Sequence, residues 1–215
     1  MGVEPADLTD VAADLAQAAR DLADPPAGRV ARVAVDGAVP ADCALVADAV
    51  ERAVAALGRP VARVSAEDYL RPRSVRLEHG PDDPDAGYER WYDWHALRRE
   101  VLDSLGPGGR GTWLPALWDA ARDRATRADR VEAVPGTVAL VSGPFLLRWE
   151  TADAVDLAVH LTTTDAALAR RLDPGDAPRV TGAWHRYTTE TWPAERADVV
   201  LRFDRPTHPA RVVGA

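Results

Sequence analysis

Five apolar segments rich in β-branched residues punctuate the chain, at 29–35 (RVARVAV), 60–65 (PVARVS), 137–147 (TVALVSGPFLL), 156–162 (DLAVHLT) and 197–203 (ADVVLRF). Stretches of helical spacing lie between them. Strands of this kind, alternating with helices, pack as a parallel sheet with right-handed crossovers. The 215 residues suffice for one sheet covered on both faces, so the expected fold class is α/β, a single three-layer αβα sandwich.

The intervening segments set the boundaries. Thr9 is a candidate N-cap for a helix to Ala23, with Val11, Leu15, Ala18 and Leu22 on one face and DPPAG ending it. A second helix is expected over 41–57, closed by Gly58. The polar, proline-rich run 71–85 reads as a loop. After it, 88–105 (YERWYDWHALRREVLDSL) reads as a helix carrying Trp91, Trp94, Leu97, Val101 and Leu105 on one face, stopped by GPGG. TDAALARRL predicts a further helix, followed by a proline-broken turn and another helix near 181–195. The division is thus an N-terminal helix and linker (1–28), one domain (29–206) with a substrate-side subregion near 71–130 and a lid-like region near 164–183, and a C-terminal tail (207–215).

Charge and cysteine content narrow the function classes. Acidic residues outnumber basic ones 34 to 26, giving a net charge of -8, which disfavours a sequence-independent grip on nucleic acid. Every basic residue is arginine; the chain has no lysine. Cys43 is the single cysteine, so no internal disulfide forms. The five histidines lack the close spacing of zinc ligands, and no transition-metal site is expected. The acidic N-terminus has no signal-peptide pattern and no apolar run reaches membrane-spanning length, which makes the cytoplasm the expected location, without a membrane partner.

The turn after the first strand, DGAVPADCA, stands where a strand–turn–helix unit can hold a phosphate. Such loops aim backbone N–H groups and a helix N-terminus at the anion and add a lysine, in the spacing G-x-x-x-x-G-K-[ST]. Here Gly37 supplies the first glycine, but Asp42 stands at the second, Cys43 at the lysine and Ala44 at the hydroxyl that binds magnesium. Pro40 also removes one N–H. The same residues suit an ordinary helix start: proline in the first turn, an acid at the positive dipole end, and a small apolar Cys43 for packing.

In order, this turn, VSAEDYLRPRSVR, YERWYDWHALRREVLDSLGPGG, VALVSGPFLLR and RADVVLRFDRP resemble the uridine kinase family of P-loop nucleoside kinases, particularly its high-GC actinobacterial branch, over about 33–206. That resemblance implies ATP and Mg as donor and metal, although the altered turn leads us to expect weak or absent binding. It implies that Glu67, with Asp68 beside it, holds the place of the acid that takes the proton from the substrate hydroxyl; the family has aspartate there. Asp93 matches a sugar-binding aspartate, and Trp118 with Asp119 an aromatic-acid pair at the base, with Arg122 as a substrate-side cation. Ser142 stands where the family has an acid that organises magnesium and water. Arg170, Arg171 and Arg179 fall on the phosphate-closing lid, although Pro174 and Pro178 interrupt its helix. Each of these side chains also has a plain structural use, as a solvated acid, a core tryptophan or a surface ion pair.

Three readings follow. The first is a uridine kinase-like protein with lost or reduced catalysis that keeps nucleoside or phosphate binding. The second is an active ATP-dependent nucleoside kinase in which lid arginines replace the lysine. The third is a non-catalytic protein-interaction module presenting the tryptophan-rich middle region.

Overall fold

A computed structural model describes residues 2–23 and 30–214. Seven strands form one sheet: β1 (Gly2–Pro5), β2 (Ala31–Gly37), β3 (Val61–Ser65), β4 (Val138–Gly143), β5 (Leu157–Thr162), β6 (Val199–Arg202) and β7 (Ala210–Val213), in the spatial order β1-β7-β6-β5-β2-β4-β3. The five strands β3-β4-β2-β5-β6 run parallel, and each matches an apolar segment of the sequence. Arg29, at the expected start of the first strand, and the segment 24–28 lie outside the described residues.

Two apolar layers flank the sheet. On one face α1 (Leu8–Ala23) and α2 (Pro40–Ala56) cover Val33, Val35, Leu140 and Val159. On the other face Ala34, Ala62, Val64 and Val141 join an aromatic group of Tyr88, Tyr92, Trp94, Phe145, Trp184 and Tyr187. Phe145 is the hub of that group. It adopts a positive φ of 61° and its ring lies 5.3 to 6.4 Å from those of the other five.

Several boundaries differ from the sequence expectation. Asp7, rather than Thr9, caps α1: its carboxylate accepts the Thr9 N–H at 2.7 Å and its carbonyl the Val11 N–H at 3.1 Å. The expected loop 71–85 contains a one-turn helix at Arg73–Arg76 and the start of α3 (Pro84–Glu89), which Asp83 caps. The expected helix 88–105 is broken. Trp91 and Tyr92 leave α3 as extended chain, pairing with Leu70, and a new helix α4 starts at Trp94, running through Trp94–Leu97, a π-turn at Arg98–Leu102 and Asp103–Leu105. Trp91 is therefore not on its face.

The segment 164–183, expected to be lid-like, holds α5 (Asp165–Ala169) and the first half of α6 (Ala177–Thr191). Pro178 sits in the first turn of α6 and extends the expected helix backward, while Trp192, at φ 50°, ends it before Glu195. α6 packs closely on α3 because glycine faces it from both sides. A methyl at Gly87 would lie 2.7 Å from Arg179 Cγ, and one at Gly182 2.6 Å from Pro84 Cβ. Arg186 of α6 ties the pair further, donating to Asp85 at 2.8 Å and meeting Glu89 at 2.7 Å. The edge strand β1 and its neighbour β7 were not legible as strands. β7 pairs antiparallel with both β6 and β1.

Candidate functional site

The turn after β2 is short. Val39 is the N-cap of α2 at φ −108°, ψ 113°, without a side-chain cap, so the helix starts at Pro40. The N–H groups of Asp42 and Cys43 both donate to Val39 O, at 3.0 and 3.2 Å, and are turned into the helix. The Cys43 thiol is fully buried and donates to Gly37 O at 3.4 Å. Gly37 has no room for a side chain: a methyl there would lie 2.9 Å from Leu161 Cβ and 3.1 Å from Cys43 Sγ. Burial, reinforced by Asp36 and Asp42, pushes the Cys43 pKa well up, so the group is a packed thiol.

Asp42 meets a partner from beyond α5. Arg171, just after α5, donates through Nη1 to the Asp42 carboxylate and through Nη2 to Phe203 O at 2.8 Å. One guanidinium thereby joins the start of α2 to the end of β6. Burial raises the Asp42 pKa, and Arg171 opposes that only in part. Ala44 follows without a hydroxyl, and Ser142 is buried near the end of β4, in register with Ser65 of β3 and Val35 of β2.

Beside this turn lies a cavity of about 360 Å³, within the size range of small-molecule sites. Ala38 and Pro40 form part of its wall, and Glu67, Tyr92, Arg76, Asp176 and Arg179 bring the polar groups. Glu67 lies in a 3-10 turn (Ala66–Tyr69) after β3, where Ser65 Oγ accepts its N–H at 3.2 Å. Its carboxylate accepts the Tyr92 hydroxyl at 2.8 Å. Burial first, then the Glu67 charge, raise the Tyr92 pKa well above that of a free phenol, so Tyr92 acts as a donor here. Pairing of Leu70 with Tyr92, and of Asp93 N–H with Tyr69 O at 2.8 Å, sets the spacing of these side chains.

The space on the wall behind Glu67 depends on a backbone feature. Gly143 has φ 147°, and a methyl there would lie 2.5 Å from Ala66 Cβ, so the chain leaving β4 passes directly against the turn that carries Glu67. Gly143→Val is expected to abolish ligand binding at the cavity and lower the thermal midpoint. A variant with an unchanged urea midpoint and intact binding would remove this positioning role.

The other sequence candidates are dispersed. Asp68 is half-buried with a raised pKa from burial, but does not line the cavity. Asp93 caps α4, its Oδ1 accepting the Ala96 N–H at 2.9 Å. Asp93→Ala is therefore expected to cost about 1 kcal/mol in urea unfolding, with binding at the cavity unchanged. Trp118 and Asp119 lie in a two-residue hairpin strand, where Trp118 Nε1 donates to Asp123 at 3.2 Å. Asp119 accepts both the N–H and the guanidinium of Arg122, at 3.0 and 2.9 Å, which lower its pKa. That pair is solvent-exposed and outside the cavity. Of the lid arginines, Arg179 lines the cavity, Arg171 holds Asp42, and Arg170 lines a separate surface depression with Arg202, Arg205 and His208.

One buried polar group escaped the sequence reading. Asp36, fully buried before Gly37, accepts Leu146 N–H at 2.8 Å on Oδ1, and the Tyr187 hydroxyl at 2.9 Å and His160 Nδ1 at 2.6 Å on Oδ2. Leu147 N–H donates to the same Tyr187 hydroxyl at 3.1 Å, and the His160 ring stacks on Trp184 at 12°. A carboxylate inside the apolar run VAVDG was the available signal, since a buried charge demands partners.

No protein-family model matches the chain, and no curated protein matches it. Solved structures do. A "possible uridine kinase" from Bacillus stearothermophilus superposes with a TM-score of 0.71 at 21% identity, covering 90% of this chain and 98% of that one. A D-glycerate 3-kinase from Cryptococcus neoformans superposes with a TM-score of 0.52 at 16% identity, covering 76% of each chain. At these identities the likeness is one of fold. The α/β sandwich with its central, mostly parallel sheet is a fold shared with these kinases.

Proposed function

We propose that this chain is a uridine kinase-like protein whose phosphoryl transfer is lost or strongly reduced and whose acceptor-side cavity still binds a nucleoside or a phosphate-bearing small molecule. The observation that carries this reading is the turn at 37–44. The Asp42 and Cys43 N–H groups are bonded to Val39 O in the first turn of α2, Asp42 places a carboxylate at the anion position, and Arg171 pairs with it. A triphosphate would have to displace that pair and unwind the first turn of α2. Loss of one preorganised donor typically costs about a hundredfold in rate, and here several are missing together.

The residues present also fit magnesium poorly. Ala44 and Ser142 supply no carboxylate, the Asp36 carboxylate is occupied by three donors, and among the described residues no group of three or more His, Cys, Asp or Glu could hold a metal. Among the described residues no helix is long and apolar enough to cross a membrane.

A second reading, an active kinase, draws support from Glu67 lining the same cavity as Ala38 and Pro40, so that a carboxylate stands beside the turn as a base would. Isothermal titration separates the two. Binding of uridine or of inorganic phosphate, without binding of ATP-Mg, is the expected result. Tight ATP-Mg binding together with uridine-dependent ADP release would replace the first reading with the second, and binding of none of the three would favour an interaction module.

A further inference from the structure

The charges around the cavity say more about what it takes. Trp91 carries a guanidinium from each of two elements: Arg179 of α6 with Cζ 3.6 Å from the ring centroid, and Arg76 with Cζ at 5.1 Å. The indole is thus engaged in aligning cations and is poorly placed to stack a base. Arg179 is more than nine-tenths buried. Its Nη2 donates to Asp176 at 2.5 Å, while its buried Nε has no partner among the described residues. Arg76 Nε donates to Arg71 O at 2.8 Å, which leaves both terminal nitrogens without a protein partner among the described residues. No carboxylate lies within ion-pair distance of Arg71, Arg73 or Arg76 among those residues.

Buried donors without acceptors are costly, and like charges facing one cavity repel each other. Burial, and the nearness of Arg179 and Arg73, lower the Arg76 pKa even though Asp123 opposes the shift. Such an arrangement is stabilised by an anion. A tetrahedral phosphate monoester offers three oxygens and can take one fork of donors from each of two arginines, whereas a carboxylate matches a single fork. The apolar wall of Leu70, Phe145 and Leu172 is left for the rest of the ligand.

Resting on the reading that this cavity is the binding site, we infer that its ligand is a small phosphate monoester, its phosphate docked on Arg76 and Arg179 and a hydroxyl of its body turned to Glu67. Gly87 is part of the device, because its missing side chain admits Arg179 Cγ. A neutral nucleoside leaves Arg76 without a counter-charge and the Arg179 Nε without an acceptor.

The test is calorimetric titration of inorganic phosphate at fixed ionic strength, with uridine titrated separately. Wild-type protein is expected to bind phosphate, and Arg76→Gln and Arg179→Gln each to weaken it about tenfold or more. Arg179→Lys, which keeps the charge and loses the fork, should fall between. Arg202→Gln, in the separate surface depression, should change nothing, and Glu67→Gln should bind phosphate as well as or better than wild type. Absence of phosphate binding, indifference to Arg76→Gln in a protein with an unchanged thermal midpoint, or loss in Arg202→Gln each overturns the inference. Uridine bound without phosphate removes this inference and leaves the nucleoside reading standing. Phosphate bound through Arg76 without uridine does the reverse.

Discussion

Replacing Asp36 with alanine is expected to lower the unfolding free energy by about 3–5 kcal/mol, a large part of the roughly 5–15 kcal/mol that holds a domain of this kind together. The carboxylate has no contact with water and receives three donors: the Leu146 N–H, the Tyr187 hydroxyl and His160 Nδ1. Those donors come from the turn after β4, from α6 and from β5, so the loss loosens three elements at once. With the side chain gone, each donor stays buried without an acceptor and costs its full desolvation penalty. Asp36→Asn keeps one acceptor oxygen and should lose about half as much. Tyr187→Phe should lose about 1–2 kcal/mol, because Leu147 N–H is orphaned along with one bond to Asp36. Urea denaturation with an unchanged m-value is the measurement; a cost below about 1 kcal/mol for Asp36→Ala would mean the network carries little of the fold.

The second large effect concerns Cys43. Its thiol is fully buried, bonded to Gly37 O, and has a pKa pushed well up by burial and by Asp36 and Asp42. Native protein should therefore react with a thiol reagent such as 5,5'-dithiobis(2-nitrobenzoate) at least about a thousandfold more slowly than the denatured chain, limited by opening of the structure. The result bears on function, because a turn that opens to cradle phosphates would bare the residue that now fills it. Labelling that is fast in native protein, or that accelerates with ATP-Mg, would show residues 37–44 to be adaptable and would weaken the proposed loss of catalysis.

The parallel part of the sheet was legible because β2, β3, β4, β5 and β6 are near-continuous apolar runs, a pattern that both-face burial imposes. β1 and β7 were not, since Gly2–Pro5 is exposed throughout and Ala210–Val213 is half-buried, so neither carries a clear hydrophobic signature. The unbroken helix expected at 88–105 followed from periodicity, and Asp93 broke it by capping a new helix, a use of aspartate that competes with any sugar-binding role. At the site, the altered identities at 42, 43 and 44 could be read directly. Pairings across the fold could not: Arg171 meets Asp42 from 129 residues away and Tyr187 meets Asp36 from 151. Trp91 read as a core aromatic, and only the folded chain places Arg76 and Arg179 against its ring.

The glycine-mediated contact between α3 and α6 has a kinetic consequence. Enzymes that close over a donor nucleotide usually swing a helical arm on a hinge, in microseconds to milliseconds. In this molecule α6 is seated on α3 at Gly87 and Gly182 and fastened by Arg186, so a swing of that size there would have to prise apart a dense helix pair. Access to the pocket then falls to rotation of individual side chains at its rim, a nanosecond event, and traffic through it should be far faster than that of an enzyme that must open and shut.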